Sequence, residues 1–310
     1  MKYLFLFTLT TLLFACKSDS ASETTPKSSE LLEAQKSYEA NPDNVTANTY
    51  IDQILRQIGN VSDNPREIVS LSETGLEISE KMNFEPRTRN FLFNLIKEDY
   101  GNKSTPSRIL NLANQMKKLG RAQTSNILYR SLIENFGSSP EANEAQSAID
   151  PAVSNMDNYL INIGEEIFKG ETNKFGINRN AALKYVDACE AYALSFPNSP
   201  KTPSYLFRAS EIAKSIQTYP KVLSLYDWII NRYPNYEKTP TTLFLKGFVM
   251  ENDLKNQDKA KEIYTEFLDK YPQHDLVADV KFLLDNLGKT DEEIRQIIEE
   301  KQKELKSKEG

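Results

Sequence analysis

From Leu31 onward, apolar residues recur at helical spacing, and four stretches repeat one arrangement. Tyr129, Leu132, Ile133 and Phe136 stand at i, i+3, i+4 and i+7, with Gly137 next. Cys189, Tyr192, Ala193 and Phe196 precede Pro197 with the same offsets. Tyr226, Ile229, Ile230 and Tyr233 precede Pro234, and Tyr264, Phe267, Leu268 and Tyr271 precede Pro272. These offsets place four side chains on one stripe of a helix, the face that packs inward. Each stripe ends at a breaker, because Pro cannot continue a helix and Gly caps its C-terminus.

The breakers set a period. Pro197 to Pro234 is 37 residues and Pro234 to Pro272 is 38, but Gly137 to Pro197 is 60. The long step predicts an irregular helical pair over 139–180, or a long helix plus a loop over 170–180. Lys201-Thr202-Pro203 recurs as Lys238-Thr239-Pro240. The spacing predicts Thr202 and Thr239 as N-caps whose hydroxyls accept a free backbone N–H, each followed by Pro at the first helical position. Thr290-Asp291-Glu292-Glu293 has capping-box spacing. It predicts a last helix to about Lys306, apolar only along Ile294, Ile297 and Ile298, which suits the polar outer face of a terminal cap.

The N-terminus reads differently. Lys2 precedes an apolar run over 3–14, broken by Thr8, Thr10 and Thr11. A membrane-spanning helix needs about 20 residues, whereas a run of this length suits an export signal. Leu13-Phe14-Ala15-Cys16 resembles the lipobox of bacterial lipoproteins, apart from Phe14 in the usually small middle place. The resemblance implies a signal peptide over 1–15, cleavage before Cys16 and lipid attachment at its thiol. Residues 16–30 are Ser-rich and carry almost nothing apolar, so they are predicted to be a disordered tether with a reach of roughly 20 Å. No Asp follows Cys16 directly, which resembles outer-membrane lipoproteins facing the periplasm. Asp19 and Glu23 near Lys17 resemble the acidic signals for export to the cell surface.

Composition narrows the class. The 310 residues include only 11 Gly and 14 Pro, few for a fold rich in tight turns. The formal charge of −6 becomes −7 once Lys2 leaves with the signal, and no basic block offsets it, which argues against nucleic-acid partners. Cys189 has no partner for a disulfide if Cys16 is lipidated, and its place within a stripe predicts a small buried hydrophobe. His274, the single histidine, excludes a His-rich zinc site and is predicted to be a solvated loop residue.

Two antiparallel helices in 37 or 38 residues resemble a tetratricopeptide repeat. Its second helix carries Ala, an aromatic four residues later and Pro eight after that. Ala260, Tyr264 and Pro272 match outright, and Val222, Tyr226 and Pro234 match with Val for Ala. Tyr185, Cys189 and Pro197 keep the Pro; Ser125, Tyr129 and Gly137 keep the aromatic and a substitute breaker. The motif's small residue in the first helix falls on Ser210 and Gly247, and its turn glycine on Gly120. The resemblance implies an all-α, tetratricopeptide-like helical-hairpin solenoid, with irregular helical repeats over 31–177 and regular ones, plus the capping helix, over 178–310. Among lipoproteins, the pattern is similar to outer-membrane assembly lipoproteins of the BamD type and to the periplasmic repeat protein of the Tol–Pal system. Asn41-Pro42-Asp43-Asn44 also resembles a repeat junction.

No catalytic constellation stands out. The chain has no Gly-x-Gly and no Cys-x-x-Cys, and Glu165-Glu166 and Glu292-Glu293 fall on polar faces. Neither an enzyme nor a bound cofactor or metal is implied. Trp228 sits beside the Tyr226 stripe and is predicted to pack between units. What remains is surface. The concave side of such a solenoid is lined by first helices, which places Phe207, Glu211 and Lys214 there from one unit and Phe244, Phe248 and Glu251 from the next. Mixed aromatic and charged linings suit a peptide segment or helix of a partner protein. The leading expectation is therefore a membrane-anchored scaffold for another envelope protein. The alternative is a surface glycan- or nutrient-binding lipoprotein, with a single Trp as the argument against it. Cys16→Ala should leave the protein unprocessed or release it from membranes. A variant processed and fractionating as the wild type refutes the anchor.

Overall fold

The computed structural model describes residues 26–62, 64–153, 155–172, 176–290, 292–296 and 299–300. These are helical throughout, with no strand among the described residues. The helices are α1 (Ser29–Ala40), α2 (Asn44–Asn60), α3 (Pro65–Lys81), α4 (Glu85–Glu98), α5 (Thr105–Lys118), α6 (Ala122–Asn135) and α7 (Pro140–Ala148). They continue with α8 (Met156–Glu165), α9 (Arg179–Ser195), α10 (Thr202–Ser215), α11 (Tyr219–Arg232), α12 (Thr239–Phe248), α13 (Gln257–Lys270) and α14 (Val277–Asp285). A 3₁₀ turn, Glu166–Phe168, extends α8, and one π turn, Val249–Asp253, extends α12. Hairpins α1/α2, α3/α4, α5/α6, α10/α11 and α12/α13 stack in order, and α9 joins α6 to α10. The fold is a helical-hairpin solenoid.

One pairing of positions recurs inside the hairpins. A small residue in the first helix lies 16 or 17 positions before an aromatic in the second: Ala34 and Tyr50, Gly75 and Phe91, Ala113 and Tyr129, Ser210 and Tyr226, Gly247 and Tyr264. All ten side chains or backbones are buried. A Cβ on Gly247 would stand 2.6 Å from Cε1 of Tyr264, and one on Gly75 would overlap the Phe91 ring. The ring thus sets how closely the two helices approach. The pattern extends the repeat into 31–118.

The turns of the last four hairpins are alike. Each spans three residues, with the middle one left-handed: Asn83 (φ 56°), Gly120 (φ 70°), Gln217 (φ 59°) and Lys255 (φ 56°). The N–H of Phe84, Arg121 and Thr218 closes the first three turns onto Ser79, Met116 and Ala213, at 2.8, 2.9 and 3.0 Å. This is the helix-ending bond that a left-handed residue permits. In the fourth turn the N–H of Asn256 reaches Met250, one residue further back, at 2.8 Å. The π turn supplies that extra residue. It accounts for the step of 38 between Pro234 and Pro272, and for the separation of 17 between Gly247 and Tyr264.

The junctions between hairpins correct one reading. Thr202 and Thr239 are the first helical residues, and Lys201 and Lys238 precede them without a side-chain cap. Each buried hydroxyl donates backward, Thr202 to the Phe196 carbonyl at 2.6 Å and Thr239 to the Tyr233 carbonyl at 2.7 Å. A helix end leaves carbonyls unpaired, and that need outweighs the N–H at the next start. Thr105 does the same to Asp99 at 3.2 Å. Asp99 is the C-cap of α4, 37 residues before Phe136, the C-cap of α6.

The long step holds α7, α8 and the 3₁₀ turn, so the helical pair is the alternative realised. Asn41 and Asp43 form the tight turn inside the first hairpin, where Asp43 caps α2 in a reciprocal box with Thr46. Helix α1 starts at Ser29, within the segment read as tether. At the far end, Thr290 and Glu293 exchange capping-box bonds of 2.7 and 3.3 Å. Residues 292–296 and 299–300 are helical, whereas Ile297, Ile298 and residues 301–306 lie outside the described residues. So do the export signal, Cys16 and most of the tether.

Phe267 is fully buried, as are Ile229 and Tyr264, while Ile230 is half-buried at the edge of its stripe. Phe267→Ala should cost about 3–5 kcal/mol, as truncation of a core ring does, and Ile230→Ala clearly less. Lys259→Ala, which removes only an exposed pair with Glu262, should cost under about 0.5 kcal/mol. Urea melts of the three variants check this ordering.

Candidate functional site

Helices α10 and α12 are the first helices of adjacent hairpins, and their exposed edges meet around Lys214. Its ammonium stands 5.1 Å from the centroid of the Phe248 ring and 3.7 Å from the Asp253 carboxylate. A cation over a ring face is attracted by the ring's quadrupole. The Phe248 ring lies 6.2 Å from Phe244, which stacks on Tyr264 at 6.4 Å. The Tyr264 hydroxyl donates to Glu251 at 2.7 Å. Burial, and then the Glu251 carboxylate beside it, raise the Tyr264 phenol above its ordinary pKa. Lys214, Phe244, Phe248 and Glu251 therefore form one connected cluster, with both phenyl rings half-buried.

The other two surface candidates lie elsewhere. Phe207 is buried, with the Lys238 ammonium 4.8 Å from its ring centroid. Glu211 is exposed and borders an apolar groove of about 360 Å³ between α8 and α10. Ile161 and Phe168, at 52% and 67% exposure, line that groove with Tyr205 and Ile212. The sequence reading missed Ile161 and Phe168 because α8 belongs to no repeat. Their spacing of seven, offset from the buried Leu160, Ile163 and Ile167, was the available signal.

Residues 241–274 match the tetratricopeptide repeat family. The matched stretch covers most of α12, all of α13 and the following turn, and includes Gly247, Ala260, Tyr264 and Pro272. The chain is a tetratricopeptide-like solenoid. No curated protein matches it. Repeats of this kind are protein-interaction scaffolds: they present extended surfaces built from successive units.

Other singled-out residues are structural. Cys189 is fully buried, and its thiol is pushed up to about 12 by burial, so it holds no reactive thiolate. Trp228 is buried, edge-on to Phe93 at 5.5 Å. His274 differs from its predicted solvated state: it is half-buried, edge-on to Phe267, and its Nδ1 accepts the Leu276 N–H at 3.1 Å near the start of α14. Among the described residues no group of acidic, His and Cys side chains could hold a metal, and no helix is long and apolar enough to cross a membrane.

A second polar cluster centres on α9. Asp187 pairs with Arg121 at 2.9 Å, and the buried Glu190 accepts from Lys221 at 2.8 and 2.9 Å. The two carboxylates lie one turn apart and are tied to the start of α6 and to α11. Burial pushes the Asp187 carboxyl up to about 6, Arg121 opposing the shift and Glu190 adding to it. An unfolded Asp titrates near about 3.9. Between about pH 4 and 6 the folded chain keeps a proton that the unfolded chain has released. The stability this group provides is thus lost as pH rises through that window. The stability of wild type minus that of Asp187→Asn should fall from pH 4 to 6 and level off above. Urea melts at each pH would refute this by a constant difference.

Proposed function

We propose that the protein is a non-enzymatic scaffold of the bacterial cell envelope. On this reading Cys16 carries a lipid that holds it at the outer membrane, on the periplasmic face, and residues 17–28 form the tether. The first helices of its hairpins grip a segment of another envelope protein, in assembly or maintenance of that membrane. The observation that carries the reading is the cluster of Lys214, Phe244, Phe248 and Glu251, on a molecule whose α10 also borders an apolar groove at Glu211. Half-buried rings flanked by both charges offer a partner helix or extended segment an apolar seat and directional polar contacts. Hot spots favour aromatic groups near the centre of a patch, which singles out Phe248.

Capture of envelope proteins from detergent-solubilised membranes, quantified by mass spectrometry, tests this. Phe248→Ala should weaken capture of the specific partner by at least about 1 kcal/mol, roughly fivefold, with the melting temperature nearly unchanged. Capture that survives joint substitution of Phe248, Glu251 and Glu211 overturns the assignment of this face.

A further inference from the structure

The solenoid bends far enough for distant hairpins to touch. Arg232 of α11 donates to the Lys97 carbonyl of α4 at 3.1 Å, 135 residues away in sequence, and its guanidinium stands 3.8 Å from Glu98. Beside this contact the Trp228 and Phe93 rings meet, with the Lys97 ammonium 5.3 Å from the Trp228 centroid. The bend leaves an open cleft of about 420 Å³ walled by α4, α5, α6, α9 and α11, with Leu55 of α2 at its edge. None of the six surface residues discussed above lines it. Its volume falls within the range of about 300–1,000 Å³ usual for small-molecule sites.

The lining divides cleanly into two parts. Leu55, Phe93 and Met116 line it half-buried, over the fully buried Leu128 and Leu194. The charged groups of the other part are satisfied from within, Glu190 by Lys221 and Asp187 by Arg121. Arg89 is the exception. It lines the cleft beside Asn90 and Asn94, and among the described residues it makes no ion pair. Its one hydrogen bond, to the Gln115 amide at 3.5 Å, is at the limit of length for such a bond.

We propose that this cleft binds a small amphiphilic carboxylate of the medium-chain acyl type, its head on Arg89 and its chain on Leu55, Phe93 and Met116. A guanidinium offers a planar pair of donors that matches a carboxylate. Asn90 and Asn94 line the same part of the cleft and add polar groups there. The apolar lining takes a chain that water would otherwise have to surround. The inference does not depend on the scaffold reading, since it concerns different residues and a different ligand.

The molecule supplies its own reporter. Trp228 is the only Trp in the chain and touches Phe93. Octanoate titrated into the full-length protein should change Trp228 emission saturably, and calorimetry should give the same affinity. Octanol, which lacks the charge, and acetate, which lacks the chain, should each bind at least tenfold more weakly. Arg89→Gln should weaken octanoate at least tenfold without shifting the melting curve, and Arg89→Lys should fall between. Absence of saturable octanoate binding by calorimetry overturns the proposal. So does octanol binding as tightly as octanoate, which needs no variant, or an Arg89→Gln protein that folds and binds octanoate like the wild type.

Discussion

The architecture depends on one contact: an aromatic ring of a second helix laid against a residue too small to hold it away. At Gly247 and Gly75 even a methyl group would collide with the ring. Where Ala or Ser stands instead, the partner ring is still buried. Close approach of the two helices excludes water from the stripe and lets the three-residue turn close. It also fixes the angle at which the next hairpin must leave. The Thr hydroxyls then join one hairpin's last carbonyls to the next hairpin's first turn. Residues with different sequence signals thus serve a single geometry.

Two surfaces emerge from that geometry with different characters. The edge of α10 and α12 is open and mixed, with rings and charges that contact one another but remain half-exposed. The α4–α11 bend creates an inward cleft whose charges are mostly committed to each other. Ion pairs at partly buried sites gain strength from the lower local dielectric and lose it to desolvation. The raised Asp187 carboxyl records that balance: burial outweighs the neighbouring Arg121. Such a cluster orients α9, the helix that carries the chain past the irregular α7 and α8.

The sequence made the regular hairpins legible, because their second helices end in an aromatic followed by Pro or Gly. It hid the others for identifiable reasons. In α4 the place of the terminal aromatic is taken by Asp99, so a search for rings passes over it. The left-handed turn residue is Gly only at Gly120; at Asn83, Gln217 and Lys255 packing imposes the conformation on ordinary residues. The Thr-Pro pairs were visible, but only the backbone path showed that their hydroxyls point backward. On the surface, Lys214, Phe244, Phe248 and Glu251 share two neighbouring first helices and so could be found by register. Phe207 occupies a position of the same register yet is buried under Lys238. Arg89, Asp187 and Glu190 come together only through the bend, which no local pattern encodes.

The π turn after α12 acts as a phase adjuster. An extra residue inside a helix would ordinarily rotate everything beyond it by about 100°, turning the next stripe away from the core. Here the surplus is confined to the wider turn at the hairpin tip, and α13 resumes with Tyr264 still facing Gly247. The same widening carries Glu251, where its carboxylate meets the Tyr264 hydroxyl. A hairpin tip of this kind lets a repeat array change length by one without losing alignment. It also leaves the rim of that one unit chemically distinct from the rim of its neighbours.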